Sequence, residues 1–159
     1  GDMSQNNIHI SADGTRVHFI DTDGFQFDYN NSQYLFTLSG LTPGFKSPGA
    51  DASLAATGRV TTTHDDFVLA ILIFMLLMAD KGCPTHPFSW GNSTEDSNIE
   101  QQRFPLADPV RFPLPPAIVE AWNKLPKDIR DTFIRTFTGP VPVRATEWVK
   151  TLSDYRRCL

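Results

Sequence analysis

The sequence predicts a mainly α-helical domain with a small β-hairpin, built around one central buried helix. Three observations predict it. Phe67 to Ala79 is an apolar run of 13 residues without a polar interruption. Three stretches in the last third carry apolar residues at three- and four-residue spacing, and two short β-rich runs near the start flank Asp13-Gly14. At 159 residues, 40 % apolar and 20 % charged, the chain has material for one domain with a real core and not for two.

Each element follows in order. Ile8-His9-Ile10 and Val17-His18-Phe19-Ile20 read as a hairpin with its turn at Asp13-Gly14. From Asp21 to about Thr63 no period is sustained, and Gly, Ser, Asn, Thr and Pro dominate. This predicts a long, loosely held loop with one short helix near Ala50–Ala56. Thr63-His64-Asp65-Asp66 offers capping oxygens to the helix of the apolar run, which should be buried on every side. Gly82 to Pro116 reads as irregular, because seven prolines interrupt it. Ile118, Trp122 and Leu125 mark the next helix, Ile129, Phe133 and Phe137 another, and Trp148, Leu152 and Tyr155 the last. Pro126 fits the first turn of the second of these, and Gly139-Pro140 stops it.

Composition excludes several classes of function. With 14 Lys+Arg against 18 Asp+Glu, the net charge is −4, and no basic excess is available to grip nucleic acid or an anionic membrane. The apolar run is shorter than the roughly 18 residues a membrane span needs. Cys83 and Cys158 make no disulfide framework, and Gly1-Asp2-Met3-Ser4 does not open like a secretory leader, so a cytoplasmic location is expected.

The richest chemistry lies at the start. Asp2 and Asn7 stand five apart, and Asp21 follows directly on the strand Val17–Ile20. Taken singly, these residues are a solvated acid, a turn amide and a strand-end acid. Brought together by a hairpin, they form an oxygen-rich site suited to a hard cation such as Mg²⁺. Gly1-Asp2-Met3-Ser4-Gln5-Asn6-Asn7 resembles the catalytic loop of eukaryotic-type protein kinases, and Ile20-Asp21-Thr22-Asp23 stands where their Asp-Phe-Gly motif would be. The resemblance continues in order along the chain. Thr42-Pro43-Gly44-Phe45-Lys46-Ser47-Pro48-Gly49 is similar to the end of an activation segment, and His64-Asp65-Asp66-Phe67 to the start of the central helix of the C-terminal lobe. His86-Pro87-Phe88 and Arg144-Ala145-Thr146-Glu147-Trp148 resemble two later family segments. The Asp-Thr-Asp variant is most like a divergent bacterial group.

The resemblance implies a kinase-like C-terminal lobe. Residues 1–29 would form the catalytic loop and metal-binding hairpin, 30–63 the activation segment and 64–159 a helical subdomain. The N-terminal lobe, with its Gly-rich loop and strand Lys, would be absent. Asp2 would orient and deprotonate a protein Ser or Thr hydroxyl, with Thr42 contacting it, while Asn7 and Asp21 would hold Mg²⁺ on ATP. Asp65 would hydrogen-bond the catalytic-loop backbone, although the same acid could serve as a simple helix cap. Departures from the pattern support a second reading, an inactive pseudokinase that binds a protein partner. Ser4 replaces a Lys, Gly1 an Arg, and Gly49 the Glu that would pair with Arg144. An unrelated helical domain is the third.

Other motifs read plainly. Cys83 and His86 have ligand-like spacing but no second pair for zinc. Pro113-Leu114-Pro115-Pro116 reads as a stiff entry to a helix ahead of an SH3-type ligand. Thr37, Ser39 and Thr42 read first as ordinary hydroxyls of a polar loop and only second as phosphorylation sites, and Asn30-Asn31-Ser32 and Asn92-Ser93-Thr94 are glycosylation sequons in form only.

Overall fold

The computed structural model describes residues 1–29, 32–35 and 40–157. Asn30, Asn31, Thr37, Ser39 and Cys158 lie outside the described residues. Strands β1 (Ile8–Ile10) and β2 (Val17–Phe19) pair antiparallel in the register Ile8↔Phe19 and Ile10↔Val17. The expected Asp-Gly turn joins them. Gly14 adopts φ +69°, and Asp13 Oδ1 accepts from Ser11 Oγ, the Thr15 amide and Thr15 Oγ1. Those bonds pull the exposed Asp13 carboxyl down to about 2. Ile10, Val17, Phe19 and Ile20 remain exposed on this hairpin.

The next stretch corrects the expectation of a continuous loop. Strands β3 (Gln26–Tyr29) and β4 (Ser32–Leu35) form a second antiparallel hairpin, with Gln26 opposite Leu35. The signal was present in Gln26-Phe27-Asp28-Tyr29, which alternates polar and aromatic residues. Helix α1 (Ala50–Thr57) follows, one residue longer than expected, and ends at Gly58 with φ +68°.

Helix α2 (Thr62–Asp80) organises everything after it. Phe67, Val68, Ala70, Ile71, Phe74 and Met78 are buried in the core. Burial is not complete all round: Leu76 is 66 % exposed, because α3 to α6 cover only part of the helix's C-terminal half. By length and composition α2 could cross a membrane, yet half of its apolar window is buried inside the fold, as in a core helix.

The proline-rich region is also more ordered than its sequence suggests. Helix α3 (Glu95–Glu100) starts where Thr94 Oγ1 accepts from the Ser97 amide, and Asn98 Nδ2 donates to the carbonyls of Phe88 and Trp90. Helices α4 (Pro116–Asn123), α5 (Lys127–Thr138) and α6 (Ala145–Arg157) match the three periodic stretches, except that the buried Leu125 lies past the end of α4. Pro116 occupies the first turn of α4, in keeping with a stiff helix entry. Pro126 sits just before α5 instead of inside it, its extended ψ of 147° turning the chain into the helix.

The core is mostly aromatic. Phe137 on α5 meets Phe104 at 4.9 Å between ring centroids, Phe88 at 5.2 Å and Phe67 at 5.5 Å, and Phe133 meets Trp148 at 4.7 Å. The three Phe137 pairs are edge-on, and such pairs add to area burial, so ring deletion costs both. Phe137→Ala should lower unfolding free energy by about 3–5 kcal/mol in urea denaturation. Leu76→Ser, on the uncovered face of α2, should stay within about 0.5 kcal/mol.

Candidate functional site

The short turn Gln5–Asn7 carries the chain from Asp2 into β1, and two bonds fix its geometry. Asn7 Nδ2 donates to the Asp2 carbonyl at 3.0 Å, while the Ile20 amide donates to the Asn7 carbonyl at 3.0 Å. Asn7 therefore faces the end of β2, where Asp21 follows. The Asn7 side-chain nitrogen is committed to the Asp2 carbonyl, and its Oδ1 can act only as an acceptor. The Asp2 carboxylate is held on both oxygens by one residue. The Thr42 amide donates to Oδ1 and Thr42 Oγ1 to Oδ2, each at 2.8 Å. Residues 40 apart in sequence thus meet at a half-buried acid.

Asp21 takes a left-handed conformation, φ 54° and ψ 47°, which its short polar side chain tolerates better than most. A hydrogen bond with Asp23 and the like charge of Asp23 lift its carboxyl above the ordinary value, with smaller contributions from desolvation and from Asp2. Asp2, Asn7, Asp21 and Asp23 are therefore one electrostatic neighbourhood. Among the described residues no three His, Cys, Asp or Glu side chains are grouped to hold a metal by themselves. The set on offer is two crowded carboxylates and an amide oxygen. All are oxygen atoms, the hard donor class that a cation such as Mg²⁺ takes.

The N-terminal turn of α2 supports the site from below. Asp65 Oδ1 accepts from the Gly1 nitrogen at 3.1 Å. His64, 1 % exposed, accepts at Nδ1 from the Ser47 amide. A cleft bounded by Gly1, Met3, Phe19, Phe25, Gln26 and Asp65 opens beside Asp2.

The segment after Thr42 is anchored, which corrects the expectation that it hangs loosely. Phe45 is buried, and polar groups do the rest. The Gly44 amide donates to Asp96 Oδ1 at 2.7 Å, and His86 Nε2 donates to the Gly44 carbonyl at 2.9 Å. The His86 tautomer follows from its other nitrogen, which accepts from the Phe88 amide. Lys46 bonds Asp51 and lies 3.2 Å from Asp96 Oδ2. Both oxygens of Glu100 accept from the Gly49 amide. Position 49 thus receives a carboxylate from α3 where a Glu side chain of its own was missing, while Arg144 is exposed.

All four residues predicted from sequence, Asp2, Asn7, Asp21 and Thr42, fall in this one region. Lys46, His86, Asp96 and Glu100 were not predicted for it. His86, Asp96 and Glu100 reach backbone amides and carbonyls, which no side-chain motif encodes, while Lys46 pairs with Asp51 and Asp96. Cys83 and His86 form no joint site, since both ring nitrogens of His86 serve the backbone.

No family model matches this sequence, and no solved structure matches it. The chain is 31 % identical to protein kinase YegI of Escherichia coli K12 over 173 aligned positions, and 31 % identical to the same-named protein of Escherichia coli O157:H7. Each alignment covers the whole of this chain, which spans 26 % of the length of the curated relatives it matches.

Burial holds both His64 and His86 below the ordinary histidine value of 6.5, against the opposing charge of Asp65 and Glu95 respectively. The unfolded chain therefore binds protons near pH 6 that the folded chain refuses. Stability should be full above pH 6.5 and fall progressively as pH drops toward the depressed folded values. Thermal melting from pH 7.5 to 5.5 reads this directly, and His86→Gln should flatten the slope.

Proposed function

We propose that this chain is the C-terminal lobe of a protein kinase-like domain that, in the intact protein, transfers the γ-phosphoryl of ATP to a protein Ser or Thr. Residues 1–29 would carry the catalytic and metal-binding groups, 30–63 the activation segment and 64–159 the helical support. The carrying observation is the Asp2 carboxylate held on both oxygens by Thr42, with Asn7 bonded to the Asp2 carbonyl. The likeness to the YegI kinases supports the same reading.

In this reading the carboxylate of Asp2 accepts the proton of the substrate hydroxyl. Thr42 fixes the plane of that carboxylate, so the accepting oxygen is presented in one orientation. Asn7 Oδ1 and Asp21 would hold Mg²⁺, which when bound neutralises charge on the ATP phosphates. An N-terminal lobe would supply the remaining phosphate contacts and cover the exposed Ile10, Val17, Phe19 and Ile20.

One observation favours the second reading, a pseudokinase acting as a protein-interaction module. Ser4, where a phosphate-facing Lys is common in the family, is 1 % exposed and turned into the fold. Its hydroxyl cannot replace that cation. Magnesium-dependent ATP binding separates the two readings, since phosphotransfer requires it and a scaffold does not.

In the full-length protein, Asp2→Asn should cut phosphotransfer by about 10²–10⁴-fold while leaving ATP binding largely unchanged, read by radiolabel transfer beside calorimetry. Undiminished transfer in that variant would remove Asp2 from the reaction.

A further inference from the structure

We infer that Asp96 is a positioning residue for Asp2, acting through the backbone of Gly44 and the adjoining Thr42; the inference rests on the phosphotransfer reading of Asp2. The Asp96 carboxylate is divided between two tasks. Oδ1 takes the Gly44 amide at 2.7 Å, and Oδ2 lies 3.2 Å from Lys46 Nζ. These contacts grip the chain on both sides of Phe45, which is itself buried edge-on to His86 at 5.6 Å. Two residues upstream of Gly44, Thr42 holds both oxygens of Asp2. A shift of Gly44 therefore passes to Thr42 through a single intervening residue, Pro43, whose ring restricts backbone adjustment.

The anchor is rigid in its own right. Helix α3 is pinned by buried Ile99 and by Asn98, whose amide bonds two carbonyls of the preceding loop. Gly44 has φ +78°, and a Cβ there would lie 2.7 Å from Glu95 Oε2, so a side chain at this position would be strained and would displace Glu95. Asp51 shares Lys46 with Asp96 but makes no bond to Gly44, so it serves as an internal control.

The test is hydrogen exchange in the full-length protein, read by mass spectrometry on peptides spanning residues 41–46 and on peptides of α5, alongside phosphotransfer kinetics. Loss of a charge-assisted bond in Asp96→Ala should speed exchange at Thr42 and Gly44 by about tenfold or more, with α5 unchanged. The same variant should lower kcat by a similar factor with KM for ATP unchanged. Asp96→Asn, which keeps an acceptor for Gly44 but not the charge for Lys46, should fall between, and Asp51→Asn should leave Thr42 exchange as it was. Unchanged exchange at residues 41–46, or a parallel rise in α5, overturns the inference, the latter because it marks global loosening. Should Asp96→Ala fail to fold, Asp96→Asn carries the same comparison. Wild-type protein without phosphotransfer would defeat the reading of Asp2, while exchange at Thr42 would still decide whether Asp96 positions it.

Discussion

The structure depends on one helix doing two incompatible-looking things, one in its first turns and one along its middle. The middle of α2 must be apolar to sit among Phe88, Phe104 and Phe137, while three consecutive polar residues in its first turns reach three different parts of the chain. His64 takes the Ser47 amide, Asp65 the Gly1 nitrogen, and Asp66 the Ala145 amide at the start of α6. Because α2 is fixed by ring packing, these three bonds are fixed in space. The segment around Gly1 and Asp2, the loop after Thr42 and the last helix all inherit their positions from it. A helix with the same apolar run but a different leading triplet could build the core and would not build the site.

The loop between Thr42 and Gly49 shows how a segment with little apolar surface is held. Carboxylates from α3 accept from its amides, a histidine donates to one of its carbonyls, and one phenylalanine is inserted. Net gains per bond of this kind are modest, about 0.5–1.5 kcal/mol and somewhat more where charge is involved. Their number in so short a stretch is what anchors the loop. The arrangement also concentrates negative charge beneath it, and Lys46 offsets part of that.

Much of this was legible from sequence, for physical reasons that can be named. The helices α4 to α6 were readable because each buries one face, and a buried face imposes its period on Ile129, Phe133 and Phe137. The first hairpin was readable because Asp13-Gly14 carries its turn chemistry locally. The convergence of Asp2, Asn7, Asp21 and Thr42 was legible only as a spacing resembling a known family, since nothing local says that Thr42 returns to Asp2. The roles of Asp96 and Glu100 were hidden altogether. Each binds main chain, and an acid on a six-residue helix between prolines looks like solvated surface until the fold places it. Complete burial of α2 was expected from composition alone, and Leu76 shows the limit of that inference: an apolar residue can remain on the surface when too few elements surround it.

Lys46 has a chemical consequence of its own. Burial opposes its charge, but hydrogen bonds and charge from Asp51 and Asp96 outweigh that and hold the ammonium above its ordinary value. An amine kept protonated and shielded by two carboxylates is a poor nucleophile toward acylating reagents. Its reactivity would rise when the loop lifts from Asp96 on α3 and the pair with Asp51 on α1 opens. The segment thus contains its own chemical reporter: the acylation rate at one lysine measures how often the loop is released, with no label introduced.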